Sequence, residues 1–117
     1  MAKDFELEQA VAALRREFAA ALPARLDALR TALDGVRQRT TREALQAFHL
    51  VAHALHGTAA AYEAHELVPH VSRLATLARA WLTVGLATAG ERDEAARELQ
   101  AMAQAIEQYQ QRVASGV

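Results

Sequence analysis

The sequence predicts an all-α protein: an antiparallel up-down-up-down four-helix bundle with a kinked or split N-terminal helix. Strong helix formers dominate the 117 residues, with 29 alanines and 15 leucines against five glycines and two prolines. Apolar residues recur at steps of three and four along four stretches, the spacing of one helical face. Short connections between such helices favour antiparallel neighbours. We expect one domain over residues 1–117, with a bundle core at about residues 14–112.

The first helical stretch carries one apolar stripe with a proline inside it. Pro23 lacks a backbone N–H, which predicts a kink or a split into a short arm and a main segment. Asp34-Gly35 is the expected end of this helix. The stripe consists of Leu7, Val11, Leu14, Phe18, Leu22, Leu26, Leu29 and Leu33.

Capping signals and further stripes predict the other three helices. Thr40 and Glu43 have capping-box spacing before the second stripe, and Thr88 and Glu91 have it before the fourth. Pro69 is compatible with the third helix only in its first turn. The stripes are Leu45, Phe48, Ala52, Leu55, Ala59 and Tyr62; Leu67, Val71, Leu74, Ala78 and Trp81; and Ala95, Leu99, Met102, Ile106, Tyr109 and Val113.

Charge and composition argue against several functional classes. The 13 basic and 14 acidic residues leave a net charge of −1, unlike the basic excess of nucleic-acid binders. The absence of cysteine excludes disulfides, thiolate zinc sites and cysteine nucleophiles. No apolar run reaches the roughly 20 residues that span a bilayer, and the first residues lack the apolar segment of a signal peptide. We therefore expect a cytoplasmic protein that binds neither nucleic acid nor membrane, and we also expect it to be a monomer.

Five histidines cluster within 22 residues, and the second helix carries three of them. At about 100° per residue, His53 points roughly 130° away from the centre of the apolar stripe, towards solvent. His49 and His56 lie about 70–90° from the centre, at the boundary. The neutral imidazole is both a nucleophile and a metal ligand, so this cluster is the candidate site.

The face around His53 lacks the charged side chains usual on a solvated helix. It carries Leu50, Ala54, Gly57 and Ala61 instead. Gly57 lies one turn after His53, where a mid-helix glycine costs about 0.5–1 kcal/mol relative to alanine and leaves room beside the imidazole. A small apolar patch around an accessible histidine indicates a docking surface with a reactive group at its centre.

The segment HALHG at residues 53–57 resembles the His-x-Leu-Lys-Gly signature of histidine-containing phosphotransfer (Hpt) domains. Residues 18–33 look like the family's proline-containing helix, and residues 67–77 match the pattern that follows the signature. The resemblance covers roughly residues 14–112. It implies a phosphorelay intermediate in which His53 takes a phosphoryl group from one receiver-domain aspartate and passes it to another.

The resemblance also implies which proteins the domain binds and which chemical groups those partners supply. The domain would be a phosphohistidine carrier without a nucleotide site, a cofactor or a metal of its own. The partners would be response-regulator receiver domains, a hybrid histidine kinase, or both, with Mg²⁺ bound by the receiver. The implied site residues are His53 as acceptor; His56, Gly57 and His49 in support; and Leu50, Ala54 and Ala61 for docking.

Two positions depart from the family pattern. His56 replaces the usual lysine, so positive charge beside the phosphoryl oxygens depends on protonation. Glu63 stands where the family often has a second glycine. An alternative function is therefore a non-transferring adaptor that docks receiver or kinase domains through the same helix face.

Two other classes remain open. His49 and His53 have the i,i+4 spacing of a zinc or nickel pair on one helix, which would suit a metal-binding bundle. The sequence lacks the Glu-x-x-His pair of di-iron bundles and an evident third ligand. The patch around Leu50 would also suit the subunit interface of an oligomeric helical protein.

Overall fold

Four α-helices form the protein in a computed structural model that describes residues 2–116. Helix α1 spans Ala2–Gln38, α2 spans Arg42–Ala61, α3 spans Val68–Val84 and α4 spans Ala89–Ala114. These residues contain no β-strand, and the predicted all-α class is confirmed. None of the four helices combines the length and apolarity that a membrane span requires.

The helices pack in a ring around one apolar core. Helix α1 contacts α2 and α4, and α3 contacts the same two helices. Within residues 2–116 the backbones of the diagonal pairs α1–α3 and α2–α4 lie farther apart, with no two Cα atoms within 8 Å. Phe48, Trp81 and Tyr109 are the largest fully buried side chains in a core built mainly of leucine and alanine. This packing fits the expected four-helix bundle.

Helix α1 runs through Pro23 without interruption, so the predicted split into two segments is wrong. Proline cannot donate to the carbonyl four residues earlier, which here belongs to Ala19. The side-chain amide of Gln110 on α4 donates to that carbonyl at 3.0 Å. A hydrogen bond from the neighbouring helix thus replaces the one that proline removes.

Helix α1 also continues past its predicted end at Asp34-Gly35 and stops at Gln38. Val36 is fully buried in the core. Its burial offsets the cost of about 0.5–1 kcal/mol for a glycine inside the helix. Tertiary packing therefore overrides the local stop signal.

The N-cap of α2 lies one residue later than the capping-box spacing predicted. Thr41, rather than Thr40, is the N-cap, and its hydroxyl accepts a hydrogen bond from the Ala44 N–H at 3.1 Å. The Thr40 hydroxyl instead donates to the Val36 carbonyl at 3.1 Å, because α1 extends far enough to offer it.

The ends of α3 and α4 follow the sequence signals. Pro69 lies in the first turn of α3, and Thr88 and Glu91 form the predicted capping box of α4. Helix α3 ends at Val84 and is capped by Gly85, whose φ of 78° lies in the left-handed region that glycine adopts without strain.

The start of α1 lies outside the bundle. Leu7, Val11 and Leu14 continue the apolar stripe of this helix, but they are exposed. The buried core begins at Phe18, four residues beyond the expected start, because the other helices leave residues 2–11 exposed and cover residues 12–17 only in part.

Candidate functional site

Helix α2 presents His53 to solvent, as the helical periodicity predicts. The His53 side chain is exposed, while His49 and His56 are half-buried at the boundary of the buried stripe. The stripe itself lies in the core and consists of Leu45, Phe48, Ala52, Leu55 and Ala59. Burial of this stripe fixes the position of α2 in the bundle. The exposed His53 imidazole is therefore accessible on a helix whose opposite face is anchored.

The His53 ring has no hydrogen-bond partner within residues 2–116. It stacks on the ring of His49, with centroids 5.6 Å apart and an angle of 19° between the planes. His70 provides the contrast, since its Nδ1 lies 2.7 Å from the Glu98 carboxylate in a link between α3 and α4. Both nitrogens of the His53 ring are therefore open to an incoming group, either as nucleophile or as ligand.

A groove of about 650 Å³ runs between α2 and α3 beside His53. Helix α2 contributes His49, His53 and His56, so the structure brings the three predicted histidines to one site. On the α3 side, polar side chains outnumber apolar ones. The residues are Ser72, Ala75, Thr76, Arg79, Leu82 and Thr83. The site is thus shared by two helices.

The α3 side of the groove was not predicted, and Arg79 is the one charged residue among the described residues that line it. Arg79 lies 26 positions after His53, so no local spacing connects them. Only the packing of α2 against α3 places both residues along one groove. The usable sequence signal is weak: α3 contains two arginines and no acidic residue.

Gly57 borders His53 on a face that is open to solvent. A Cβ placed on Gly57 would meet no atom within 4 Å, so packing inside the protein does not require glycine there. Ala54 and Ala61 are exposed on α2, and Leu50 is 70% exposed. These three residues and Gly57 form what we call the docking patch.

The C-terminal end of α2 is held by an aromatic cluster. The Phe18 ring stacks on Tyr62 at a centroid distance of 4.8 Å and meets the Tyr109 ring edge-on at 5.9 Å. The Tyr109 hydroxyl donates to the Tyr62 carbonyl at 3.3 Å, and burial raises the pKa of that hydroxyl. The helix that carries His53 is therefore fixed at this end by contacts from α1 and α4.

An ion pair reinforces the same end of α2. Arg112 donates to the two carboxylate oxygens of Glu66 at 2.7 and 2.9 Å and to the Glu63 carbonyl at 2.8 Å. The hydrogen bonds from Arg112 hold the pKa of Glu66 below its ordinary value, and those to Glu66 raise the pKa of Arg112. We call Glu63, Glu66, Arg112 and the three aromatic rings the bundle end.

Glu63 has a backbone conformation that is unusual for its residue type. Its φ is 53°, and it is the one non-glycine residue with positive φ in the described part of the chain. A left-handed residue directly after a helix is the position that glycine usually occupies. The turn between α2 and α3 thus favours glycine here, although the sequence has glutamate.

Among residues 2–116, no group of three or more His, Asp or Glu side chains is arranged to hold a metal ion. His65 is exposed in the turn before α3 and takes no part in the groove. Comparison with protein-family models, with curated proteins and with solved structures finds no match to this chain.

Proposed function

We propose that the protein is a histidine phosphotransfer domain that carries a phosphoryl group on His53 between receiver-domain aspartates. One observation carries this proposal: an exposed imidazole without a hydrogen-bond partner within residues 2–116 stands beside the open docking patch of a rigid helix. A docked protein can approach that ring closely because Gly57 presents no side chain. The bundle supplies position, and the partner supplies the activated phosphoryl group.

The proposed step is a displacement at phosphorus. The lone pair of one His53 ring nitrogen forms the N–P bond as the P–O bond to the receiver's aspartate breaks, and the aspartate leaves as a carboxylate. Transfer to the next receiver reverses these roles. Phosphoryl transfer needs mainly positioning and charge stabilisation, which the receiver and its Mg²⁺ provide. The domain therefore needs no nucleotide, cofactor or metal of its own.

The turn after α2 supports the family resemblance. The resemblance expects glycine where Glu63 stands, and the backbone there has the left-handed φ of 53° that glycine adopts most readily. The departure from the family pattern is thus one of residue type, while the local conformation fits the pattern. The second departure, His56 for lysine, lies within the groove itself.

The proposal extends to the finer architecture. Phe18, in the first half of α1, stacks on Tyr62 at the C-cap of α2, and Arg37 at the other end of α1 lies 3.6 Å from Asp93 in the first turns of α4. These contacts support an antiparallel up-down-up-down order. We also propose a bend at Pro23 and a cytoplasmic location, where receiver domains would be met.

A non-transferring adaptor is the second candidate, and the replacement of lysine by His56 favours it. Such an adaptor would bind receiver or kinase domains through the docking patch without accepting phosphate. Both candidates predict the same binding surface, including Leu50, Ala54 and Ala61. Covalent phosphate on His53 is the property that separates them.

The test measures phosphoryl transfer from receiver domains of the same organism, each first loaded with labelled phosphate. We expect acid-labile, base-stable label on the wild type and none on His53→Gln, which keeps receiver binding. His65→Gln is the matched control, since His65 is also exposed but lies outside the groove, and it should be labelled like the wild type. Receiver binding without label on the wild type would establish the adaptor instead, and label on His53→Gln would exclude His53 as the acceptor.

A further inference from the structure

Helix α2 offers no permanent positive charge near His53. Its one Lys or Arg residue is Arg42, at the first position of the helix. Arg42 lies 11 positions before His53, which is about 16 Å along a helix axis. His56 lies much closer, but an imidazole is positive only when it is protonated.

Helix α3 supplies the missing charge from across the groove. Of the described residues that line the groove with His53, Arg79 alone carries a permanent charge. It forms no ion pair within residues 2–116, whereas Arg73, the other arginine of α3, pairs with Glu94 of α4. The guanidinium of Arg79 is therefore free to bind an anion, with up to five N–H donors.

Two threonine hydroxyls on the α3 side of the groove already donate to carbonyls of their own helix. The Thr76 hydroxyl donates to the Ser72 carbonyl at 2.9 Å, and the Thr83 hydroxyl donates to the Arg79 carbonyl at 3.0 Å. The donors that the α3 side can still offer to a ligand are the Ser72 hydroxyl and the Arg79 guanidinium, and only the guanidinium is charged. A phosphoryl group adds about −1.5 to −2 charges, and a guanidinium binds its oxygens in a bidentate manner.

We propose that Arg79 binds the phosphoryl oxygens of phosphorylated His53, which makes the α2–α3 groove the phosphate-binding subsite. This inference rests on the proposed function and adds Arg79 to His53 as a residue that contacts the phosphoryl group. The permanent charge that the family places on the same helix as its histidine comes here from the facing helix. His56 and Arg79 then approach the phosphoryl group from opposite sides of the groove.

The first test compares transfer rates from one phosphorylated receiver to the wild type and to Arg79→Gln. We expect transfer to Arg79→Gln to be about tenfold slower, the effect of losing one charged contact in the transition state. Arg79→Lys should retain most of the rate. The double variant Arg79→Gln/His56→Lys should recover it, because a lysine at position 56 restores a permanent charge. Arg73→Gln is the control, since Arg73 faces Glu94.

The second test reads the phosphoryl group directly by ³¹P NMR of the purified phosphoprotein. A guanidinium on the oxygens favours the dianion, so the titration midpoint of the ³¹P shift should be higher in Arg79→Gln than in the wild type. A role of Arg79 in folding or docking alone would leave this midpoint unchanged.

The outcomes separate this inference from the function on which it rests. Equal rates and equal ³¹P midpoints for the wild type and Arg79→Gln would overturn the role of Arg79 and leave His53 as the acceptor. A wild type without label would overturn both. A slow Arg79→Gln that His56→Lys fails to restore, with an unchanged ³¹P midpoint, would also overturn the inference.

Discussion

The groove and the bundle end both lie along α2, but they differ in whether their charged and polar side chains have partners within the protein. At the bundle end, Arg112 uses its donors on Glu66 and Glu63, and the Tyr109 hydroxyl caps a carbonyl. In the groove, His53 and Arg79 have no hydrogen-bonded or ionic side-chain partner within residues 2–116. Paired polar groups contribute to stability, whereas unpaired ones at an open surface remain available for a ligand.

The difference has an energetic consequence for substitutions. Breaking a half-buried charged hydrogen bond leaves its partner unsatisfied and destabilises the fold. Removing a group that has no partner in the free protein changes little in its stability. The bundle end should therefore respond to mutation through unfolding, and the groove through binding and transfer.

Glu66→Gln should give the largest change in stability. We expect the free energy of unfolding to fall by about 1.5 kcal/mol, because a charge-assisted pair at 2.7 and 2.9 Å is lost. Thermal unfolding followed by circular dichroism measures this as a Tm lower by roughly 6 °C. Arg79→Gln is the matched groove variant and should leave the Tm unchanged. An equal fall in Tm for Glu66→Gln and Arg79→Gln would contradict the expectation that the bundle end affects stability and the groove does not.

The Glu66–Arg112 pair determines the direction in which stability changes with pH. Because Arg112 lowers the pKa of Glu66 in the folded state, the pair contributes stability above the ordinary Glu pKa of 4.5. That contribution is lost as the pH falls through the lowered pKa of the folded state. The Glu66→Gln variant should therefore match the wild type more closely in acid than at neutral pH. If the difference in unfolding free energy between the wild type and Glu66→Gln stays constant as the pH falls, then ionisation of Glu66 is not the source of the pH dependence.

The sequence predicts the histidine face well because that face depends on helical periodicity alone. Burial of Leu55 and Phe48 determines which side of α2 points inwards, and His53 then has to face solvent. Arg79 could not be placed in this way, since its position beside His53 depends on how two helices pack. The α1 errors have the same origin: Gln110 satisfies the carbonyl that Pro23 leaves free. Local signals at proline and glycine do not end a helix where packing against its neighbours compensates.

Glu63→Gly should have the next largest effect on stability, and it should stabilise the bundle end. Glycine adopts the observed φ of 53° without strain, so we expect a gain of about 1 kcal/mol in the free energy of unfolding. The Glu63 carboxylate is exposed and lies 3.9 Å from Arg15, so this ion pair contributes little to stability. Glu63→Ala is the control, because it removes the same carboxylate and keeps the strained backbone. Chemical denaturation should show the gain for glycine alone; an equal gain for alanine would point to charge rather than conformation.

Gly57→Ala should have the smallest effect on stability, and it separates stability from function at the docking patch. A Cβ there meets open space, so the free protein should gain about 0.5–1 kcal/mol from better helix propensity. The same methyl group would stand where a receiver approaches His53, so phosphoryl transfer should slow while the Tm rises. Gly35→Ala is the matched control: it also adds a methyl group in open space within a helix, but on α1 and outside the groove. Both variants should be stabilised to a similar degree, and only Gly57→Ala should lose transfer. Wild-type transfer rates in both variants would show that Gly57 does not provide access to His53.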